Sequence, residues 1–228
     1  MRITWYGHAS FRLEGDGGGG SVSVVTDPYT PETAGYPPVR EAADVVVTSS
    51  VTDSYHDRHD LIPGEHLHVN ALDVADGGGK RNAGGLAIEA VPAAEAEHHP
   101  SGHPDRNAIY AFVLDGMRIA HMGDVGNRLD KRQMDFLHGT DVLLALAGGF
   151  PTIALDDLDA VIRETKPRLV VPMHFRTLTY RPRNTLWIES FLSYFDDARI
   201  DFACASSAEV TRETLPAETR VMVLDYVR

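Results

Sequence analysis

The first half of the chain is a succession of short runs suited to strands. ITWYG (3 to 7), SFRLE (10 to 14), SVSVVTD (21 to 27), DVVVTS (44 to 49), GLAIEAVP (85 to 92), NAIYAFVLD (107 to 115) and MRIAHMG (117 to 123) are β-branched or aromatic, and Gly, Pro or Asp punctuates them. Each run needs pairing partners for its backbone and cover for its apolar face, which commits the chain to layered sheets. Asp115 and Gly116, set between FVL and MRIAH, predict a hairpin with a type I′ turn. GDGGGG (15 to 20) and DGGGKRNAGG (76 to 85) read as loops, because glycine runs are costly to order.

After residue 150 the pattern changes. LDDLDAVIRETK (155 to 166) places Leu155, Leu158, Val161 and Ile162 on one helical face, and Pro167 stops it. RLVVPMHF (168 to 175) is a short buried strand with His174 at its end. A helix is expected at TLWIESFLSYF (185 to 195), a strand at RIDFACA (199 to 205) and a closing strand at RVMVLDYV (220 to 227). The sum is an α/β chain of sheets covered by helices. With 228 residues and no linker composition, one domain over 1–228 is the expectation.

Charge and composition narrow the function. A net charge of −12 argues against binding a nucleic-acid backbone, and leaves a small molecule or a protein as the expected partner. No apolar run approaches the roughly 18 residues of a membrane helix, and MRITWYGHASF lacks the features of a secretory signal, so a cytoplasmic location is expected. Cys204 is the single cysteine, so any metal must be held by His, Asp or Glu. Oligomeric state is not legible.

Polar residues follow the strand-like runs, where α/β scaffolds display chemistry: His8, Asp27, Asp53, Asp124 and His174. Taken in order, GHASF (7 to 11), TDP (26 to 28), HMGDVG (121 to 126) and VPMHF (171 to 175) resemble the metallo-β-lactamase-fold superfamily, in particular its ascorbate-6-phosphate lactonase-like and metal-dependent hydrolase branch. The resemblance runs over nearly the whole chain and implies a four-layer αββα sandwich. It also implies a dinuclear metal centre whose HxHxDH motif follows a strand ending in Val-Thr. Carried onto this chain, the motif falls on Ser49, Ser50, Val51, Thr52, Asp53 and Ser54; a later His falls on Glu95, the bridging Asp on Asp124 and the final His on His174.

The first metal position therefore keeps none of its histidines and is expected to be lost, since a valine cannot ligate. The second keeps Asp53, Asp124 and His174, a donor set able to hold one Mn²⁺, Fe²⁺, Zn²⁺ or Mg²⁺. His56, two residues beyond Ser54, is a candidate replacement for the lost histidine; His98 and His99, with His103 in the same His-rich stretch, are weaker candidates, and a solvated loop is the ordinary reading of them. His66, His68 and His138 have no supporting pattern, and His8 matches a position near the family's centre that is not usually a main ligand. Ser49 and Ser50 are expected to fill a vacated pocket, with no base and orienting group evident to activate either as a nucleophile. Asp27 is expected to orient a ligand or its loop. TYRPRNTLW (179 to 187) reads as a surface loop in preference to an anion clamp.

Two functions follow. The first is a hydrolase of ester, lactone or phosphodiester bonds using at most one metal, with Asp53 or Asp124 accepting the proton. The alternative is a non-catalytic relative that binds a small molecule or a protein in the former cleft.

Overall fold

The computed structural model describes residues 1–51, 54–95 and 106–228. Strands β1 (Arg2–Gly7), β2 (Ser10–Asp16), β3 (Ser21–Thr26), β4 (Val45–Thr48) and β5 (Leu67–Asn70) build the first sheet. The second holds β6 (Lys80–Ala83), β7 (Leu86–Ala94), β8 (Arg106–Leu114), β9 (Met117–His121), β10 (Val142–Leu146), β11 (Leu169–Met173) and β12 (Ile200–Phe202). Strand β13 (Ser207–Glu209) returns to pair with β1, and β14 (Arg220–Val223) inserts between β11 and β12. Helices α1 (Pro31–Ala34), α2 (Ala71–Asp76), α3 (Lys131–Leu137), α4 (Leu155–Thr165) and α5 (Ile188–Leu192) complete the αββα arrangement.

The main core lies between the sheets. Ile3, Trp5, Phe11 and Leu13 from the first sheet belong to the same buried cluster as Ile88, Ile109, Phe112 and Leu144 from the second. A second cluster forms on the other face of the first sheet, where Tyr6, Val25 and Val46 meet Tyr29, Tyr36, Val39, Ile62 and Tyr180. Strand alternation explains the division, since neighbouring residues face opposite ways. It also explains Val45, Val46 and Val47, all fully buried: β4 is covered on both faces.

Expected elements are reproduced where the sequence signal is local. Leu114 pairs with Met117 across Asp115 and Gly116, both at positive φ (49° and 69°), the backbone of a type I′ turn. Helix α4 buries Leu155, Leu158, Val161 and Ile162 and ends at Lys166 in the left-handed region, just before Pro167.

Several expectations need correcting. Residues 76 to 85, read as a loop, include β6, a polar strand held by its antiparallel register with β7 from Lys80↔Glu89 to Ala83↔Leu86. The helix expected over 185 to 195 shrinks to α5, because Arg176 N–H donates to the Leu186 carbonyl (2.8 Å) and Leu186 N–H to that of Gly148 (2.8 Å). Strands β5 and β10 and helices α1, α2 and α3 were not expected. β10 is wholly apolar VLLAL, a central parallel strand between β9 and β11, and α3 and α4 form the crossovers on either side of it. Among the described residues, no helix is long and apolar enough to cross a membrane.

Candidate metal centre

Of the polar residues singled out in the sequence, His8, Asp27, Asp124 and His174 gather where β1, β3, β9 and β11 end. Tight backbone turns aim them. His8 (φ 53°), Asp27 (φ 36°) and His174 (φ 59°) all adopt left-handed backbone, sparsely populated for side chains of this size. The His8 carbonyl holds two of these turns together, accepting from His174 N–H (3.0 Å) and from the Trp5 indole (3.1 Å). Gly123 must be glycine: its φ is +63°, and a Cβ there would lie 2.3 Å from Asn107 Oδ1 and 2.6 Å from the Ala108 carbonyl. This turn delivers Asp124.

Three buried imidazoles converge with that carboxylate. His8, His56 and His174 are 1%, 2% and 3% exposed, and each offers a ligand atom within 4.8 Å of the others. Asp124 Oδ1 lies 3.2 Å from His174 Nε2, and Asp124 Oδ2 lies 3.7 Å from His56 Nδ1. Burial alone would raise the Asp124 carboxyl, but the fields of His56 and His174 outweigh it and hold it at about 2. His8 is pushed well below the usual histidine range by burial first, then by His174 and His56, so its ring is neutral. His8 Nε2 lies 3.2 Å from the Tyr180 hydroxyl, whereas Nδ1 of both His8 and His174 is buried without a hydrogen-bond partner.

These residues fit a divalent cation. Ligand bonds of about 2.0–2.2 Å to nitrogen and oxygen place neighbouring donors roughly 3–3.5 Å apart, close to the separations of Asp124 from His174 and His56. An ionised carboxylate, as at Asp124, is the form a cation requires of that ligand. His56, Asp124 and His174 would hold it, with His8 at their side.

The serine that stands at the family's first histidine is occupied elsewhere. Ser49 Oγ donates to Asp27 Oδ2 (2.6 Å), Ser49 N–H donates to Asp27 Oδ1 (2.9 Å), and Asn107 Nδ2 donates to Ser49 Oγ (3.2 Å). Asn107 Oδ1 in turn accepts from Asp124 N–H (3.1 Å), so a hydrogen-bonded chain runs from Asp27 through Ser49 to the backbone of Asp124. Ser49 and Asp27 are both 0% exposed, out of reach of a substrate. Burial lifts the Asp27 carboxyl to about 7, against the opposing field of His56 and the hydrogen bonds from Ser49. His121 is also structural: Nε2–H donates to the Ala9 carbonyl (2.8 Å) and Nδ1 accepts from Gly123 N–H (2.9 Å).

Of the expected ligands, the structure brings Asp124 and His174 together, while Asp53 lies outside the described residues, as do Thr52, His98, His99 and His103. Val51 and Ser54 are exposed, and Glu95 joins neither of the two ligand groups found among the described residues. His56 takes the place that the sequence offered it only as a replacement. His8 was expected near the centre but not as a main ligand, and Tyr180 was not expected there. Gly7, at φ +115° with the Tyr36 ring packed against it, was the available sign that His8 sits on a sharp turn.

A two-sheet αββα sandwich carrying histidines and aspartates at its strand ends defines a metallo-β-lactamase-fold protein. The chain belongs to that superfamily: the beta-lactamase superfamily domain matches residues 2–174. It is similar to a UPF0173 metal-dependent hydrolase of Archaeoglobus fulgidus, 28% identical over 199 residues that cover 78% of this chain and 84% of the relative. A Thermococcus kodakarensis protein of the same description is 29% identical over 199 residues, covering 78% and 85%. A solved metallo-beta-lactamase superfamily structure from Thermotoga maritima superposes with a TM-score of 0.76 at 28% identity, covering 99% of each chain. The metallo hydrolase Igni18 of Ignicoccus hospitalis shares the fold, with a TM-score of 0.63 at 22% identity over 97% and 94% of the two chains.

Proposed function

We propose that this chain is a metal-dependent hydrolase working with one divalent cation, Zn²⁺, Mn²⁺ or Fe²⁺, held by His56, Asp124 and His174, with Asp53 as the further ligand expected from the sequence. The observation that carries the reading is the convergence of His8, His56 and His174 on Asp124. The description of the relatives as metal-dependent hydrolases supports the reaction class. When bound, such an ion lowers the pKa of water toward neutrality and polarises the scissile bond.

The protein's own groups divide the remaining work. Asp124, held at about 2, stays ionised across the working range, with Oδ1 toward His174 and Oδ2 toward His56. A carboxylate so acidic is a poor proton acceptor near neutrality, which leaves that role to Asp53. Neutral His8, backed by Tyr180, supplies a lone pair at the wall of the site. The chain from Asp27 through Ser49 and Asn107 fixes the turn bearing Asp124, and replaces the first metal position with hydrogen bonds. The substrate is an ester, a lactone or a phosphodiester of small size.

The test is hydrolysis of p-nitrophenyl esters, simple lactones and bis(p-nitrophenyl) phosphate by chelator-stripped protein resupplied with Zn²⁺ or Mn²⁺. Activity that returns with metal in the wild type, and not in Asp124→Ala or His174→Ala, is the expected result. Metal bound without turnover of any of the three classes favours the alternative, a non-catalytic protein that binds a ligand in this cleft.

A further inference from the structure

The loop that sends His56 inward sends the next residue the other way. Asp57, His59 and His68 form a second group outside the centre, each with a ligand atom within 4.8 Å of the others. All three are partly exposed, so the group opens to solvent instead of being sealed in the core. His59 begins the 3-10 turn His59–Leu61, while His68 lies on β5 in register with Val46 of β4. The rings of His59 and His68 stack at 3.7 Å and 10°, and His68 Nε2 lies 3.8 Å from Asp57 Oδ1 and 2.9 Å from the Thr48 hydroxyl. His66, two residues before His68, meets His59 edge-on at 5.8 Å and has a buried Nδ1 with no hydrogen-bond partner.

We propose that Asp57, His59 and His68 form a second metal site, separate from the central one and selective for a divalent transition metal such as Zn²⁺, with His66 in reserve as a fourth donor. One carboxylate and two imidazoles suit Zn²⁺, and disfavour Mg²⁺ and Ca²⁺, which take oxygen ligands. Tetrahedral Zn²⁺ wants donors about 3.3 Å apart, so donors that lie within 4.8 Å of one another must draw closer to hold it. His59 sits on the partly exposed turn His59–Leu61, and His68 ligates through Nε2 only by giving up its 2.9 Å hydrogen bond to the Thr48 hydroxyl. The consequence is mechanical: an ion there ties the loop of residues 54 to 61 to β5, and so fixes the segment that presents His56 to the centre. The proposal does not depend on the chemistry assigned to that centre.

Zinc bound per chain, measured by equilibrium dialysis of the chelator-stripped full-length protein against Zn²⁺, tests it. His59→Ala is expected to lose one equivalent, or to weaken it by more than the roughly 10–100-fold that loss of an outer-sphere partner costs. The isosteric Asp57→Asn should behave in the same way while leaving the loop's shape intact. Combined with Asp124→Ala, His59→Ala should remove an additional equivalent. A zinc count unchanged in both His59→Ala and Asp57→Asn, or a double variant that loses no more than Asp124→Ala alone, overturns the proposal. Failure of the central site alone would look different: Asp124→Ala would change nothing, whereas His59→Ala would still cost one equivalent.

Discussion

Asp27 makes the energetics of the centre measurable through pH. Its carboxyl is fully buried and lifted from an ordinary 3.8 to about 7 in the folded protein. Between those values the folded chain holds a proton that the unfolded chain has released, so stability falls as pH rises through this window and levels off above it. At about 1.4 kcal/mol per pH unit, the group takes away about 4 kcal/mol between pH 4 and 8, of which about 3 kcal/mol lies between pH 5 and 7.5. Asp27→Asn removes the titration while keeping the shape: its Oδ1 can accept from Ser49 N–H and its amide can donate to Ser49 Oγ, reversing one bond. Urea unfolding of metal-stripped protein at pH 5 and pH 7.5 should therefore show the wild type losing about 3 kcal/mol more than the variant. Taking the difference cancels the other titrating groups, and Asp124, at about 2, titrates below the window. Parallel stability profiles for the two proteins would refute the reasoning, because they would mean that the hydrogen bonds from Ser49 Oγ, Ser49 N–H and the Tyr110 hydroxyl (3.3 Å to Oδ1) keep Asp27 ionised at no cost.

Ser49→Ala leaves Asp27 Oδ2 without its 2.6 Å donor and should cost about 1–3 kcal/mol. It should retain hydrolysis; loss of turnover with unchanged stability would return Ser49 to the role of nucleophile. Gly123→Ala combines left-handed backbone with a Cβ 2.3 Å from Asn107 Oδ1, and should destabilise by about 2–4 kcal/mol. At about 2–4 °C per kcal/mol for a chain of this length, the melting midpoint should drop by roughly 10 °C; an unchanged midpoint would mean that the turn is not needed to seat Asp124.

Elements with a local code were legible in the sequence. The Asp-Gly hairpin and the α4 stripe follow from backbone preference and helical period, and the ordered motifs carried the superfamily. Elements made by their neighbours were not. β6 is polar and sits among glycines, so only its ladder to β7 makes it a strand, and α1 and α3 are too short for their periods to stand out. At the centre, Asp124 and His174 were legible because they occupy family positions. His8 and His56 were harder: one depends on a left-handed turn that only the preceding Gly7 hints at, the other on a segment in which Ser54 and Arg58 hydrogen-bond to Thr30 and Pro28. His59 and His68 are nine residues apart in sequence and meet only because β5 lies beside β4.

The central claim is that one ion sits among His56, Asp124 and His174, with hydrogen bonds where a second would be. Anomalous diffraction from crystals grown with Zn²⁺ or Mn²⁺ tests it directly. The account predicts a single peak in the centre, within coordination distance of Asp124 and His174, with Ser49 still bonded to Asp27. No peak at saturating metal, or a pair of peaks about 3.5–4 Å apart as in a two-metal centre, would contradict it.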